Sequence, residues 1–278
     1  MKLWLDGRLI DENDARISPF DHGLLVGDGV FETLRVYDGI PFAWTRHHER
    51  LVHSGHGLGL AIPETVGLRA AADDVLGASG LREGRLRITV TGGPSPLGSE
   101  RGDEPATVIV AATALKEWPP TEVVATAPWP RNERGATAGL KTISYAENVR
   151  ALAYAHERGA NEAIFLNTRG ELCEATGSNL FVVIGGTAVT PPGDSGCLLG
   201  VTRALVLELG REQGIPVVER PLPADALADA DEAFLTSTTR EVHPIATVDD
   251  HDVANAPGPI TKRLAEAFRD LVARDMDP

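Results

Sequence analysis

"AGLKTISYAENVR", residues 138–150, sets a single lysine between a small apolar entry and an amphipathic run. The chain holds four lysines, at 2, 116, 141 and 262, so 22 of its 26 basic residues are arginine. A lysine kept where arginine is the default cation reads in two ways. It is an ordinary surface charge, or it is an amine that can lose its proton and act as a nucleophile, which arginine cannot do. Just beyond it, residues 145 to 158 carry a helical pattern that Gly159 stops as a C′ glycine does.

Outward from this stretch the pattern is mixed. On the N-terminal side, "KLWLDGRLI" and "GVFETLRVYDGIPFAW" alternate apolar and polar residues around Asp6-Gly7 and Asp38-Gly39, which predicts hairpins. "TRHHERLVHSGHGLGL" and "TVGLRAAADDVLGASG" predict helices, the second closed by Gly80. "GRLRITVTGG" and "ATVIVAATAL" are β-rich, and the proline-rich texture of "KEWPPTEVVATAPWPRNERGA" marks a connection. On the C-terminal side, "EAIFLNTRGELCEATGSNLFVVIGGTAVTPP" reads as short strands, "GVTRALVLELGREQGI" as an amphipathic helix, "VVERPL" and "EAFLTSTT" as strands, and 260–274 as a terminal helix. The expected fold is α/β in two lobes: residues 1–115 a smaller N-terminal lobe, 116–122 the linker, and 123–278 a larger C-terminal lobe carrying Lys141.

Bulk properties narrow the function. The chain has 278 residues, 42% of them hydrophobic and 24% charged, the composition of an ordinary globular protein. A formal net charge of −14 with no basic face argues against nucleic acid or an anionic membrane as partner. "MKLWLDGRLI" reaches Asp6 and Arg8 too early for a secretory core, no apolar run approaches a membrane span, and two cysteines make no disulfide framework. These features predict a cytoplasmic protein. His47, His48, His53 and His56 would point around a helix, so no metal site is expected and they read as a polar helix face.

Three further stretches can carry chemistry. "CEATGSNLF" (173–181) puts Glu174 before a polar turn, either a solvated charge or an acid held at a strand end. "GVTRALVLELG" (200–210) offers backbone N–H groups and the Thr202 hydroxyl where a helix begins, which is a phosphate site or a simple N-cap. "FLTSTTREV" (234–242) ends a strand in four hydroxyl residues, a self-bonded loop or a second anion grip. A lysine for a Schiff base, a carboxylate for a pyridinium nitrogen and two phosphate grips together describe a pyridoxal phosphate site.

With "DHGLLVGDGVFETLRVYDG", "HHERL", "LKTISY", "ELCEATGSNLF", "GVTR" and "TSTTREV" in this order, the sequence resembles the class IV aminotransferases, the fold-type IV pyridoxal phosphate enzymes. That family includes branched-chain and D-amino acid aminotransferases and 4-amino-4-deoxychorismate lyase. The resemblance implies a D-amino acid aminotransferase-like fold, pyridoxal 5'-phosphate as cofactor, and a homodimer. It implies that Lys141 is the Schiff-base lysine and proton carrier, and that Glu174 pairs with the ring nitrogen. Arg50, Val201, Thr202, Ser237 and Thr238 would bind phosphate, Tyr145 the cofactor's O3′, and Phe31 would wall the substrate pocket.

The reaction implied is amino transfer between an amino acid (a D-amino acid or (R)-amine among the candidates) and a 2-oxo acid. The alternative is lyase release of pyruvate and 4-aminobenzoate from aminodeoxychorismate. Gly92, in "TGG", stands where D-amino acid enzymes of the family carry a carboxylate-binding arginine. Arg87 and Arg240 are the candidates for holding a substrate carboxylate, each also readable as a strand-end surface charge.

Overall fold

Two Asp-Gly pairs make the first hairpins. Asp6 (φ 44°) and Gly7 (φ 90°) join β1 (Lys2–Leu5) to β2 (Arg8–Asp11). Asp38 (φ 51°) and Gly39 (φ 81°) join β3 (Gly29–Tyr37) to β4 (Ile40–Pro41). Positive φ at both turn positions matches the right-handed twist of the flanking strands. The computed structural model describes residues 1–278 and divides into two units. Met1–Lys116, Leu140–Tyr145 and Met276–Pro278 form the first, and Glu117–Gly139 with Ala146–Asp275 the second.

The first unit is built on a six-stranded antiparallel sheet in the order β2-β1-β6-β5-β3-β4, where β5 is Gly84–Thr91 and β6 is Val108–Thr113. Three helices belong to it: α1 (His22–Val26), α2 (Trp44–Leu58) and α3 (Thr65–Ser79), the last stopped by Gly80 at φ 64°. Val30, Leu34, Leu86 and Val110 from the sheet pack with Leu51 of α2 and Leu68 and Val75 of α3. Each such buried side chain contributes about 1.5–3 kcal/mol of transfer free energy.

Leu140–Tyr145, expected with the C-terminal lobe, packs in the first unit because its backbone pairs with the start of β3. Phe31 N–H donates to the Lys141 carbonyl (3.1 Å), Ile143 N–H donates to the Gly29 carbonyl (2.9 Å), and Val30 bridges Thr142. A Cβ on Gly29 would sit 2.7 Å from the Val90 carbonyl oxygen and 2.8 Å from Ile143 Cδ1, so only glycine admits this approach.

A charged tie secures the loop after β5. Arg101 donates from Nε and Nη2 to both oxygens of Asp28 (2.7 Å each) and from Nη1 and Nη2 to the carbonyls of Gly59 and Leu58. His22 Nδ1 lies 2.9 Å from Asp28 Oδ2 and its Nε2 lies 3.0 Å from the Gly98 carbonyl. Two acceptors facing one ring favour the doubly protonated form, and the hydrogen bond to Asp28 raises the imidazole above its ordinary value. Linkage gives the sign. The stabilisation is complete below about pH 6.5, the unfolded value, and is lost as pH rises through the higher folded value. The expected result is that the Tm advantage of wild type over His22→Gln shrinks as the buffer is moved from acid to alkaline. A difference independent of pH would contradict it.

In the second unit nine strands form one sheet. Its order is β12-β11-β10-β13-β14-β7-β8-β9, with β15 paired to β14. The strands are β7 (Glu122–Thr126), β8 (Glu162–Leu166), β9 (Leu172–Ala175), β10 (Asn179–Ile184), β11 (Thr187–Thr190), β12 (Val217–Glu219), β13 (Glu232–Ser237), β14 (Glu241–Val248) and β15 (His251–Asp252). Its helices are α4 (Ala146–His156), α5 (Val201–Glu212) and α6 (Pro259–Arg274). The β14–β7 and β7–β8 pairs are parallel, while β8–β9, β10–β13 and β13–β14 are antiparallel. Phe181 and Phe234 stack face to face across β10 and β13 with centroids 4.8 Å apart. No helix is long and apolar enough to cross a membrane.

Candidate active site

In the first unit, the expected site residues gather around Phe31 on β3. Lys141 is pinned on both sides of its peptide: its N–H donates to Ser54 Oγ (3.0 Å) and its carbonyl accepts from Phe31 N–H. Its Nζ lies 4.4 Å from the Phe31 ring centroid. The Arg87 guanidinium lies 3.7 Å from the same centroid, and Tyr145 meets the ring edge-on at 5.2 Å. Arg87 reaches there because β3 and β5 pair Phe31 with Thr89 and Thr33 with Arg87. Its Nε donates to Thr89 Oγ1, and partial desolvation of the guanidinium against its neighbours lowers its affinity for its proton, although the residue as a whole is exposed.

Arg50 stands on α2 beside Glu32, which the sequence did not mark out, and His47, which was expected on a polar helix face. Its Nε and Nη2 donate to the two oxygens of Glu32 (2.7 and 2.8 Å), and His47 Nδ1 faces Glu32 Oε2 at 2.7 Å, which places the imidazole proton on Nδ1. Glu32 is fully buried and His47 only 2% exposed. Burial alone would raise the Glu32 carboxyl; Arg50 and His47 outweigh it and hold the group far below the usual carboxylate range. Burial pushes the His47 imidazole down. His47 therefore leaves the polar face expected for the histidine-rich helix. The signal was present in the sequence: His47 and Arg50 stand three apart on one helical face, and Glu32 interrupts an apolar strand.

The second unit carries the other candidates. Glu174 lies on β9, opposite Phe165 of β8. Its Oε2 accepts from the Leu198 N–H (2.9 Å), and its Oε1 lies 3.5 Å from Arg131 Nε. Val201 and Thr202, both buried, open α5 after Gly200, and no side chain caps that helix start. A Cβ at 200 would strike Asn179 Oδ1. Ser237 ends β13 and Thr238 opens the turn into β14, and Ser237 Oγ accepts from the Arg240 N–H (3.2 Å). Beside them, Thr236 Oγ1 is buried with no hydrogen-bond partner within the chain.

Arg240 was expected as a carboxylate binder for an acidic substrate. It instead folds inward: Nε donates to Glu122 Oε1 (3.1 Å), and Nη1 to Glu162 Oε2 (2.6 Å) and Ser178 Oγ (2.9 Å). The guanidinium also stacks 4.0 Å from the Trp118 ring centroid. Its side chain is 6% exposed, and two buried carboxylates already neutralise it, which makes it a poor seat for a third.

Two sheets in two units, with a lysine in the 140–145 segment and a strand-end glutamate on β9, make this the fold of the fold-type IV pyridoxal phosphate enzymes. The branched-chain aminotransferase of the thermophilic archaeon Thermoproteus uzoniensis, solved with norvaline, superposes with a TM-score of 0.91 at 32% identity, covering 98% of this chain and 94% of that one. A Methanocaldococcus jannaschii protein, provisionally named a branched-chain-amino-acid aminotransferase, is 36% identical over 98% of this chain and 96% of its own length. A D-alanine aminotransferase of Listeria innocua is 32% identical over 99% and 97%. The model of the amino-transferase class IV family matches residues 29–248. The chain belongs to the class IV aminotransferase family.

Proposed function

We propose that this chain is a pyridoxal phosphate-dependent transaminase that moves an amino group between an amino acid and a 2-oxo acid, with Lys141 as its reactive amine. The observation that carries the reading is Lys141 itself, its peptide fixed at N–H and C=O and its Nζ held against Phe31. The residues fit the cofactor. Thr236 Oγ1 is an orphaned polar atom beside a hydroxyl turn, and the start of α5 is uncapped and narrowed to glycine at 200. Such features suit a phosphate.

Pyridoxal phosphate, when bound, supplies an electron-accepting ring for the charge that develops at the substrate Cα. The chain's own groups do the rest. Lys141 Nζ would hold the cofactor covalently and, once the substrate's amine has displaced it as a free amine, would take and return the Cα proton, which requires an amine and not an ammonium. Glu174 keeps the ring nitrogen protonated. In the second unit Val201, Thr202, Ser237 and Thr238 are the phosphate-binding groups; in the first unit Arg50, oriented by Glu32, is a phosphate-binding cation and Tyr145 a donor to O3′.

Arg87 binds the second carboxylate of a dicarboxylic substrate, and Phe31 walls the pocket. Arg87→Ala is expected to raise KM for glutamate and 2-oxoglutarate about 10- to 100-fold, the worth of a charged hydrogen bond, with little change for apolar donors. Equal effects on both substrate classes would show that Arg87 does not read the side chain.

The decisive assay mixes holoenzyme with single D- and L-amino donors and follows the visible absorbance of the bound cofactor. Bleaching by a donor, reversed by a 2-oxo acid, is the expected result. Release of pyruvate from aminodeoxychorismate with no acceptor, and no bleaching by any donor, would assign the lyase reaction.

The working form is a homodimer. What supports this is an exposed apolar run in the first unit: Phe20, Leu24, Leu25 and Val26 beside Leu97, whose loop is tied to them through the Ser95 N–H to Phe20 carbonyl bond.

A further inference from the structure

Arg131 has no part in the roles above, yet it is the cation set against Glu174. It lies just after β7, where its N–H donates to the Leu166 carbonyl (2.7 Å). The guanidinium stacks 4.2 Å from the Phe165 ring centroid, on the residue that pairs with Glu174 across β8 and β9. Nη1 donates to Glu147 Oε2 (3.1 Å) and Nη2 to Asn148 Oδ1 (3.3 Å), both at the start of α4. The third side, Nε, is buried, makes no hydrogen bond, and stands 3.5 Å from Glu174 Oε1. Both side chains are shielded, at 16% and 14% exposure, so salt screens the pair less than it would a surface pair.

We propose that Arg131 is a positioning residue that aims the Glu174 carboxylate and sets how strongly that carboxylate holds a proton on the cofactor's ring nitrogen. This rests on the reading of Glu174 as the partner of a pyridine nitrogen. Two anchors support the aim: the Leu198 N–H fixes one carboxylate oxygen and Arg131 faces the other, so rotation of the carboxyl about its bond to Cγ breaks both. The tuning follows from charge. A guanidinium beside the carboxylate competes with the pyridinium for it, and as a like charge it disfavours the protonated ring. Both effects have one sign: Arg131 weakens protonation of the ring. A pyridinium bound to Glu174 alone would keep its proton over a wider pH range.

Glu147 modulates the same circuit from the surface. Its side chain is 73% exposed, and it accepts from Nη1, drawing part of the guanidinium's charge away from Glu174.

The test uses apoprotein reconstituted with pyridoxal phosphate carrying 15N in the ring, with the nitrogen's chemical shift followed against pH. Arg131→Gln should move the ring-nitrogen midpoint up by on the order of one unit, a tenfold change in its protonation constant, as expected for losing a charge within a few ångströms. Arg131→Lys keeps the charge and should stay near wild type in midpoint while binding the cofactor more weakly, because its ammonium cannot stack on Phe165 and reach three partners at once. Glu147→Gln, an exposed change that leaves the fold intact, should move the midpoint the opposite way; this result stands even if Arg131→Gln fails to fold. Identical midpoints for wild type, Arg131→Gln and Glu147→Gln would overturn the inference. A wild-type protein whose labelled ring titrates as free cofactor would overturn the functional reading itself, and this inference with it. A purely structural Arg131 would lower Tm and leave the nitrogen unmoved.

Discussion

Replacing Lys141 with alanine should reduce amino transfer by about 10⁴-fold or more, the scale of losing a positioned proton carrier together with its covalent attachment. The fold should survive. What the first unit takes from residue 141 is its backbone, the N–H on Ser54 Oγ and the carbonyl on the Phe31 N–H, and alanine keeps both. The side chain adds a contact to the Phe31 ring, worth about 0.5–2 kcal/mol for a cation near an aromatic face. Lys141→Arg separates charge from reactivity. It restores a cation near Phe31 but offers no amine that can lose its proton, so it should recover Tm and no turnover. Initial rates with a responsive donor, thermal melts, and borohydride reduction followed by peptide mapping check the three parts. Turnover within tenfold of wild type in either variant would remove Lys141 from the mechanism.

Lys141 stood out as a candidate because arginine is the chain's default cation, whereas Ser54, which holds its peptide N–H, did not, for a physical reason. Local chemistry writes itself into short stretches: Asp6-Gly7 and Asp38-Gly39 adopt the positive φ their turns need, and Gly80 and Gly159 stop helices where the apolar period ends. Pairings between distant strands leave no such trace. Residues 140–145 lie beyond the proline-rich connection yet pair with β3, through a contact that only the missing Cβ of Gly29 allows. β7 was hidden among prolines because its register is set by parallel pairing with β8 and β14, far off in sequence, and β14, although it continues from β13 through a local turn, was masked by Pro244 and by the acidic residues that follow the strand. Glu32 and Arg131 share this property. Each looks like a surface charge until the fold brings up its counter-charge from another element. Arg240 shows the converse. Beside a hydroxyl run it suggested a substrate, whereas the carboxylates that claim it come from 118 and 78 residues away.

Arg240→Met should cost about 3–5 kcal/mol of folding stability, because it leaves two buried carboxylates without their cation. Glu122 is fully buried and Glu162 2% exposed, and their oxygens take the guanidinium from two strands, β7 and β8. Glu162 also accepts from the Thr176 N–H and hydroxyl, and Arg240 donates to Ser178, so the tie reaches the turn that follows Glu174. Its own backbone N–H ends on Ser237 Oγ. One side chain thus fastens the hydroxyl turn of Ser237 and Thr238 to the segment that carries Glu174, both inside the second unit. The variant should bind pyridoxal phosphate more weakly as well as melt earlier. The pH dependence has a definite sign. Burial raises the Glu122 carboxyl even with Arg240 beside it, and removing the cation lifts it further. A carboxyl whose folded pKa is raised favours the folded state at low pH, and that contribution is lost as pH rises from the unfolded value, near 4.3, through the folded one. The deficit of Arg240→Met should therefore be small in mildly acidic buffer and grow toward neutrality. Adding Glu162→Gln should recover part of it, because one uncompensated charge is removed along with its partner. Denaturant melts of the three proteins at several pH values measure this directly, and a deficit that stays below about 1 kcal/mol or ignores pH would mean that water, and not Arg240, compensates the two glutamates.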